Sequence, residues 1–343
     1  MNQFETAMSV ALELATRGPE FGANPQVGAV ILDSAGEIVA EGWHEGAGTP
    51  HAEVMALRNL REKLSLGETD ALPEGFTAVV TLEPCNHTGR TGPCAQALID
   101  AGVSNVVYAL DDPGVESSGG ADRLRAAGVT VSSGVLTAEA ESLLEVWLWA
   151  QEHSRPWVTL KWASSLDGRA AADDGTSKWI SGSASREDSH ARRAGVDAIL
   201  VGTGTVLADD PELTARKPDG SLYSHQPLRV VVGESELPAD ARVFNSDAPT
   251  LVLKTRDLEE VLATLWEQGV KHVWVEGGPQ VASEFVSLDL VNEYLVYLAP
   301  KVLGGSRVAL KDVGVGSMPD AVELSFESVT RLGDDILIRA RGK

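Results

Sequence analysis

His51-Ala52-Glu53, the run Phe76-Thr77-Ala78-Val79-Val80-Thr81-Leu82-Glu83-Pro84-Cys85, and Pro93-Cys94 form the stretch on which the reading of the chain turns. The chain's two cysteines both lie here, each behind a proline. With His51 they supply three soft or borderline ligands and leave a fourth position open, the arrangement of a catalytic zinc site and not a structural one. Zinc bound in this way lowers the pKa of its water toward neutrality. Glu53, two residues after His51, is placed to share the site without sharing the metal and to carry protons. Taken singly, a helix histidine is usually core or surface and a free cysteine a small hydrophobe. It is the combination of H-x-E, two Pro-Cys pairs and a strand leading into the first of them that points to zinc. The rival is a disulfide. The first residues, Met1-Asn2-Gln3-Phe4-Glu5, show no basic region or apolar run of a secretory leader, so free thiols and a cytoplasmic location are expected.

At 343 residues, 43% of them hydrophobic, the chain is expected to form two domains, residues 1–150 and 155–343. No apolar run approaches the roughly 18 residues of a membrane span. The net charge of −22 divides unevenly: residues 1–150 carry 7 basic against 21 acidic residues, and 151–343 carry 21 against 29. Such an acidic surface repels phosphate backbones, which argues against a nucleic-acid partner.

Periodicity predicts an amphipathic helix over 3–17, ended by Gly18-Pro19, and a hairpin of Val27–Leu32 and Glu37–Trp43 around Asp33-Ser34-Ala35-Gly36. It predicts a helix over 51–64 with His51 and Glu53 in its first turn, where N–H groups favour negative charge. A strand ending at Glu83 follows, then a helix over 95–101, a buried strand over 103–110, a helix over 120–127, a short strand over 129–131 and a helix over 137–153. Ser154-Arg155-Pro156 breaks that last helix and marks the domain boundary. The alternation implies an α/β domain with a central sheet covered on both faces.

The second half starts again with the strand Trp157–Ala163 and the turn Asp167-Gly168. Strands are expected at 198–202, 228–233, 250–254 and 272–276, and helices at 184–195, 258–268 and 280–286, making a second α/β domain. Its informative segment is Val273-Trp274-Val275-Glu276-Gly277-Gly278-Pro279, a strand ending in two glycines before a helix. Such a turn lets backbone approach a phosphate while the helix N-terminus supplies donors, and tight strand–helix packing explains it equally well. A polar set accompanies it: Lys161, Asp167, Ser177, Arg193, Thr205 and Asp209 to Arg216. The arginines stand out in a cation-poor chain because the guanidinium fork suits phosphate.

Zinc nucleobase deaminases carry H-x-E…P-C-x-x-C; here eight residues, not two, separate Cys85 from Cys94. The first half resembles the cytidine deaminase superfamily. The whole chain resembles the bifunctional riboflavin-biosynthesis family, a pyrimidine deaminase fused to a pyrimidine reductase, whose form of the cysteine loop is the long one. The residues that carry this are Asn24-Pro25-Gln26-Val27-Gly28, Gly42-Trp43-His44, Gly48 to Glu53 and Thr81 to Cys94. In the second half they are Leu160-Lys161, Ser165-Leu166-Asp167-Gly168-Arg169, Ser177-Lys178-Trp179-Ile180, Asp209 to Thr214 with Arg216, and Glu276-Gly277-Gly278. Two motifs depart from the family's pattern: Asp112-Pro113-Gly114-Val115 stands for Asp-Pro-Asn-Pro, and Thr91-Gly92-Pro93-Cys94 for Thr-Pro-Pro-Cys.

The resemblance implies a three-layer cytidine-deaminase-like domain followed by a dihydrofolate-reductase-like α/β domain that uses NADPH. Carried over by position, His51, Cys85 and Cys94 hold one zinc ion and Glu53 is catalytic. Ala163, Trp179, Thr205, Asp209 and the loop Gly278, Pro279, Gln280, Val281, Ala282, Ser283, Glu284 face the cofactor. Ser177, Arg193, Leu213, Arg216 and Glu276 face the substrate. The implied partner is a small phosphoribosyl pyrimidine, handled by a homo-oligomer. Two rivals explain less. A nucleic-acid-editing deaminase calls for a basic face that the acidic first half lacks, and a zinc-stabilised binding module leaves Glu53 and the open coordination position without a role.

Overall fold

The computed structural model describes residues 2–67, 69–88 and 92–343. Gly89-Arg90-Thr91, part of the cysteine-loop motif, lie outside the described residues. The chain divides into two compact units, one reaching Ser154 and one starting at Arg155.

In the first unit five strands, β1 (Gly28–Leu32), β2 (Ile38–Trp43), β3 (Thr77–Leu82), β4 (Asn105–Leu110) and β5 (Thr130–Ser133), form a mixed sheet in the order β2-β1-β3-β4-β5. β1 is antiparallel to β2 and β3, and β3, β4 and β5 run parallel. Every residue of β1 and β3 is buried. Side chains alternate across a strand, so each strand feeds two cores. Ala29, Ile31, Ala78, Val80 and Val106 face α2 (Ala52–Leu64), α3 (Cys94–Ala101) and α4 (Gly120–Ala126). Val30, Leu32, Val79, Val107 and Ala109 face α1 (Gln3–Ala15) and α5 (Thr137–His153). The result is the three-layer arrangement expected, and α1 opens with a capping box between Asn2 and Glu5.

One close approach sets the position of α2. A Cβ on Gly42 of β2 would lie 2.4 Å from the Ala52 carbonyl oxygen and 2.5 Å from the Ala56 nitrogen. Only glycine lets this helix lie so close on the sheet, and with it the side chains of its first turn.

The second unit holds eight strands: β6 (Trp157–Ser165), β7 (Ala198–Gly202), β8 (Leu228–Val232), β9 (Thr250–Leu253), β10 (His272–Val275), β11 (Glu293–Ala299), β12 (Leu324–Leu332) and β13 (Asp335–Gly342). Their order is β12-β13-β11-β6-β10-β7-β8-β9. From β11 to β9 neighbours are parallel, and β13 and β12 add an antiparallel edge. Helices α6 (Ser183–Arg193), α7 (Thr203–Asp209), α8 (Leu258–Glu267) and α9 (Pro279–Ser287) connect the parallel strands. The main core gathers Val158, Leu160, Leu200, Val230, Val273 and Val275 from the sheet with Leu258, Leu262 and Leu265 of α8 and Phe285 of α9. In an open parallel sheet ligands collect outside the C-terminal strand ends, and the glycine turn after β10 lies there. Among the described residues no helix is long and apolar enough to cross a membrane.

Candidate active sites

Two helix N-termini and one strand end meet in the first unit. His51 is the N-cap of α2, Cys94 is the first residue of α3, and Cys85 follows β3. His51 Nδ1 is 3.1 Å from Cys94 Sγ and 3.6 Å from Cys85 Sγ, and all three ligand atoms lie within 4.8 Å of one another. Two ligands of a tetrahedral zinc ion, at bond lengths of about 2.0–2.3 Å, stand roughly 3.5–3.8 Å apart, so the donor set fits that metal. The Cys94 N–H donates to Cys85 Sγ at 3.4 Å, as suits a thiolate at a helix N-terminus. The Cys94 thiol and the neighbouring imidazole hold Cys85 well below the usual thiol range, while the Cys85 sulfur and burial push Cys94 up.

Glu53 lies beside this trio, 4% exposed, and burial pushes its carboxyl up to about 7. A carboxyl poised there both takes and returns a proton near neutral pH. The trio's His51 and Cys85 and Glu53 itself line a cavity of about 370 Å³. Its wall includes Asn24, His44, His87, Glu83, Asp112 to Ser117 without Pro113, and Trp147 and Gln151 of α5. His44 Nδ1 is 3.1 Å from the Pro50 carbonyl and therefore donates to it, which leaves Nε2 to accept from the Asn24 amide at 3.0 Å. Burial lowers the pKa of His44, in keeping with that neutral tautomer. Glu83 accepts from the N–H groups of Ala121 and Asp112 and so ties the end of β3 to the loop after β4. In that loop Val115, at the departure from the family pattern, is 97% exposed at the cavity mouth.

In the second unit a cavity of about 380 Å³ is lined by Ala163, Ser177, Trp179, Arg193, Thr205, Asp209, Leu213, Arg216 and Glu276. One strand, two helices and three loops bring together residues spread over 114 positions of sequence. At its floor Glu276 is the hub of a buried network. It accepts from Arg193 Nε at 3.1 Å and from a second Arg193 nitrogen, from Trp274 Nε1 at 2.7 Å and from Ser189 Oγ at 3.2 Å, and it lies 3.6 Å from Lys161 Nζ. Burial alone would raise the Glu276 carboxyl, but the Arg193 and Lys161 charges outweigh it and hold the group well below the usual carboxylate range. Burial in turn lowers the Lys161 ammonium. Arg193 also donates to the Thr214 carbonyl at 3.0 Å, so most of its donors are spent inside the protein. At the rim Glu212 pairs with both Arg216 and Arg242, leaving one positive charge in excess. His190, another wall residue, is driven down to about 4, mainly by burial and then by Arg193.

A third cavity, of about 580 Å³, lies against the turn after β10. It is lined by Gly278, Pro279, Gln280, Val281 and Glu284, and by Thr205 and Asp209, which also line the second cavity. Two of the expected cofactor residues stand apart. Ala282 is 1% exposed in the apolar core, and Ser283 Oγ accepts from the Lys311 N–H at 2.7 Å, so neither side chain lines this cavity. Facing the cavity from one turn of helix requires every third or fourth position, and these two fall on the opposite side of α9. The glycines divide the same way. A Cβ on Gly277 would sit 2.7 Å from Val281 Cβ, a packing constraint, whereas Gly278 borders the cavity and donates its N–H to Thr205 Oγ1 at 3.1 Å. Asp167, from the motif before Gly168, is a strut. It accepts from Ser165 Oγ and from the N–H groups of Leu303 and Gly304 and lines none of the three cavities. Sequence reading gave no role to Arg242, His190 or Asn24, each of which lines a cavity. Only the quoted motif around Asn24 signalled any of them.

Residues 1–110 match the family described as "Cytidine and deoxycytidylate deaminase zinc-binding region", and residues 156–338 match "RibD C-terminal domain". The chain is 48% identical over 341 residues to "Riboflavin biosynthesis protein RibD" of Mycobacterium tuberculosis, covering 98% of this chain and 97% of that one. It is 38% identical over 375 residues to the protein of the same name from Escherichia coli, at 99% and 100% coverage. Among solved structures it resembles Acinetobacter baumannii RibD at a TM-score of 0.88 and 37% identity, with 99% of each chain covered. It also resembles a diaminohydroxyphosphoribosylaminopyrimidine deaminase/5-amino-6-(5-phosphoribosylamino)uracil reductase of Thermotoga maritima at a TM-score of 0.85 and 35% identity, again at 99% coverage of each.

Proposed function

The chain belongs to the RibD family, and we propose from that premise how its residues divide the work of a bifunctional deaminase and reductase of riboflavin biosynthesis. The deaminase is zinc-dependent, the reductase uses NADPH, and both act on a small molecule. The substrate of the first step is the diaminopyrimidine phosphoribosylamine, and that of the second is the uracil phosphoribosylamine which deamination leaves.

His51, Cys85 and Cys94 hold the metal, which when bound supplies a Lewis acid that makes water nucleophilic near neutral pH. Glu53 is the proton carrier. Its carboxylate takes a proton from the attacking water, and its carboxylic acid returns one to the departing amino group on the ring carbon between two nitrogens. A carboxyl drawn up to about 7 by burial holds both forms at working pH. Asn24, held by His44 through one amide N–H, turns its other N–H and its carbonyl oxygen to the polar edge of the ring. The cavity of about 370 Å³ encloses the ring and limits competing water.

NADPH, when bound in the second unit, would supply the hydride that reduces C1 of the ring-opened ribose imine, and a proton taken up by the imine nitrogen completes the ribityl amine. The protein's part is to orient donor and acceptor. Gly278, Pro279, Gln280, Val281 and Glu284 border the cofactor, with Thr205 and Asp209 at the junction with the substrate cavity. Trp179 and Ala163 lie on the cavity wall toward the reacting end. Glu276, fixed by Arg193 and Lys161, presents a rigid polar floor to the pyrimidine, and Arg216 with Arg242 offers the excess positive charge at the rim to the substrate phosphate. Ser177 and Leu213 complete that wall. Homo-oligomer formation belongs to the same proposal and is supported by Phe326 and Val329, exposed on the edge strand β12.

The observation that carries the assignment is the His51, Cys85 and Cys94 donor set with buried Glu53 beside it. Incubating the zinc-loaded protein with the diaminopyrimidine ribotide should release ammonia without NADPH and form the ribityl product only with it. A zinc-loaded preparation that releases no ammonia would refute the deaminase assignment.

A further inference from the structure

The third cavity continues past the glycine turn to a pair of charged side chains that no role above accounts for. The parallel strands end there in the spatial order β10, β7, β8, β9, and the residues just beyond them are Gly277-Gly278, Thr203-Gly204, Gly233-Glu234 and Thr255-Arg256. Neighbouring strands lie about 4.8 Å apart, so the ends of β8 and β9 stand roughly 5 and 10 Å beyond that of β7, on the side away from the substrate cavity. The substrate cavity lies toward β6, and Thr205 and Asp209 join the two. A dinucleotide with its reacting ring in the substrate cavity and its diphosphate at the N-terminus of α9 therefore carries its second nucleoside over β8 and β9.

Glu234 and Arg256 meet at that place, Arg256 NH2 lying 3.2 Å from Glu234 Oε2, with side chains 64% and 74% exposed and both lining the cavity. In strand-end dinucleotide sites an acidic residue suits a ribose 2′-hydroxyl, and an arginine accommodates a 2′-phosphate. Here both are present and neutralise each other. The other charged groups facing the cavity are Asp209, Glu284 and Lys311, whose Nζ donates to Gln280 Oε1 at 3.0 Å. Acids thus outnumber bases in the lining, and a phosphate group needs a dedicated cation.

We propose that Arg256 is the residue that selects NADPH over NADH, binding the 2′-phosphate of the adenosine ribose, and that Glu234 is the counter-ion the phosphate displaces. The inference rests on the reductase reading given above. The guanidinium supplies two parallel donors to phosphate oxygens, and Glu234, released, repels the phosphate and keeps the preference moderate. Because the site is half open to water, the contact's effect is that of a screened charged hydrogen bond, about tenfold in affinity.

The test measures the Kd of NADPH and of NADH for the full-length protein by fluorescence titration, beside steady-state oxidation of each with the deaminated ribotide. Arg256→Ala should raise the Kd and KM for NADPH about tenfold, leave kcat near wild type and leave both constants for NADH within about twofold. Glu234→Gln should lower the KM for NADPH and not that for NADH. Both side chains are solvent-exposed, and matching circular dichroism spectra check that each variant is folded. An unchanged NADPH-to-NADH preference in folded Arg256→Ala, or an equal loss with both cofactors, overturns the assignment while leaving the reductase reading intact. A wild-type protein that oxidises neither cofactor refutes that reading and this inference with it.

Discussion

Glu276→Gln should separate the structural weight of the buried network from its contact with substrate. The wild-type carboxylate stands between Lys161 and Arg193, with side-chain exposures of 9%, 19% and 15% respectively. The amide keeps the shape and can still accept from Trp274 Nε1 and Ser189 Oγ, but it leaves two cations facing each other without an anion. Breaking a buried pair costs about 3–5 kcal/mol. The retained hydrogen bonds and partial solvent access place this case near the lower end, at about 3 kcal/mol, or roughly two orders of magnitude in the opening equilibrium. Two-domain chains seldom unfold in a single step, so bulk denaturation is the wrong readout. Amide hydrogen exchange in β10, next to the substitution, reports the opening of this unit alone. Its exchange should quicken about a hundredfold. Adding Lys161→Met should recover part of the loss, with a coupling of at least about 1 kcal/mol. Exchange in β10 that changes less than threefold, or effects of the two substitutions that simply add, would refute the idea that Glu276 is held by charge.

Cys85→Ser should remove bound zinc, measured by elemental analysis, together with ammonia release, because among the described residues His51, Cys85 and Cys94 are the one cluster suited to a metal. Retention of a full equivalent of zinc would displace the assigned ligand. Acid should weaken the second unit through His190, whose pKa falls from 6.5 when unfolded to about 4 when folded. Since the unfolded chain then binds the extra proton, stability from this group is present above about pH 6.5 and drains away as pH falls toward 4. His190→Gln should flatten the decline in stability over that window, read by hydrogen exchange in α6 at several pH values, and an unaltered slope would count against the buried neutral imidazole.

The zinc site is legible because its parts are local. Each ligand sits at the boundary of an element that periodicity marks, at the start of α2, the end of β3 and the start of α3, and proline fixes the approach to both cysteines. The alternating core of the first unit is legible for the same reason: β1 and β3 are apolar throughout, and α1, α2 and α5 show helical spacing. What lies outside the expected elements has physical causes. α7 is seven residues long, with a glycine and two threonines, all weak helix formers. β12 is exposed over most of its length and carries a register shift between Phe326 and Ser328, so no inward face imposes alternation on it. β11, with its apolar run Tyr294 to Ala299, is legible in principle by its aromatic and aliphatic content. In the second site the residue types were readable and their partners were not. Whether an arginine binds an anionic ligand or a protein carboxylate depends on contacts far apart in sequence, and Arg193 meets Glu276 across 83 positions. Arg242 was invisible for the same reason, because its place beside Glu212 is made by the fold. Within the contiguous loop expected at the cofactor, the α9 turn directs the Ala282 side chain into the core and Ser283 to the Lys311 N–H, which a pattern of consecutive residues does not reveal.

The central claim is that two reactions occur in order in separate sites of one chain, with Glu53 required for the first alone. The most direct measurement gives zinc-loaded Glu53→Gln, in the presence of NADPH, the diaminopyrimidine ribotide and, separately, its deaminated product, and follows ammonia and NADPH together. Loss of the proton carrier should cut ammonia release by at least about 10²–10⁴-fold, with zinc retained. NADPH consumption on the diamino substrate should vanish with it, while consumption on the deaminated substrate stays at the wild-type rate. Ammonia release near the wild-type rate, or NADPH consumed on the diamino substrate without ammonia, would contradict the account.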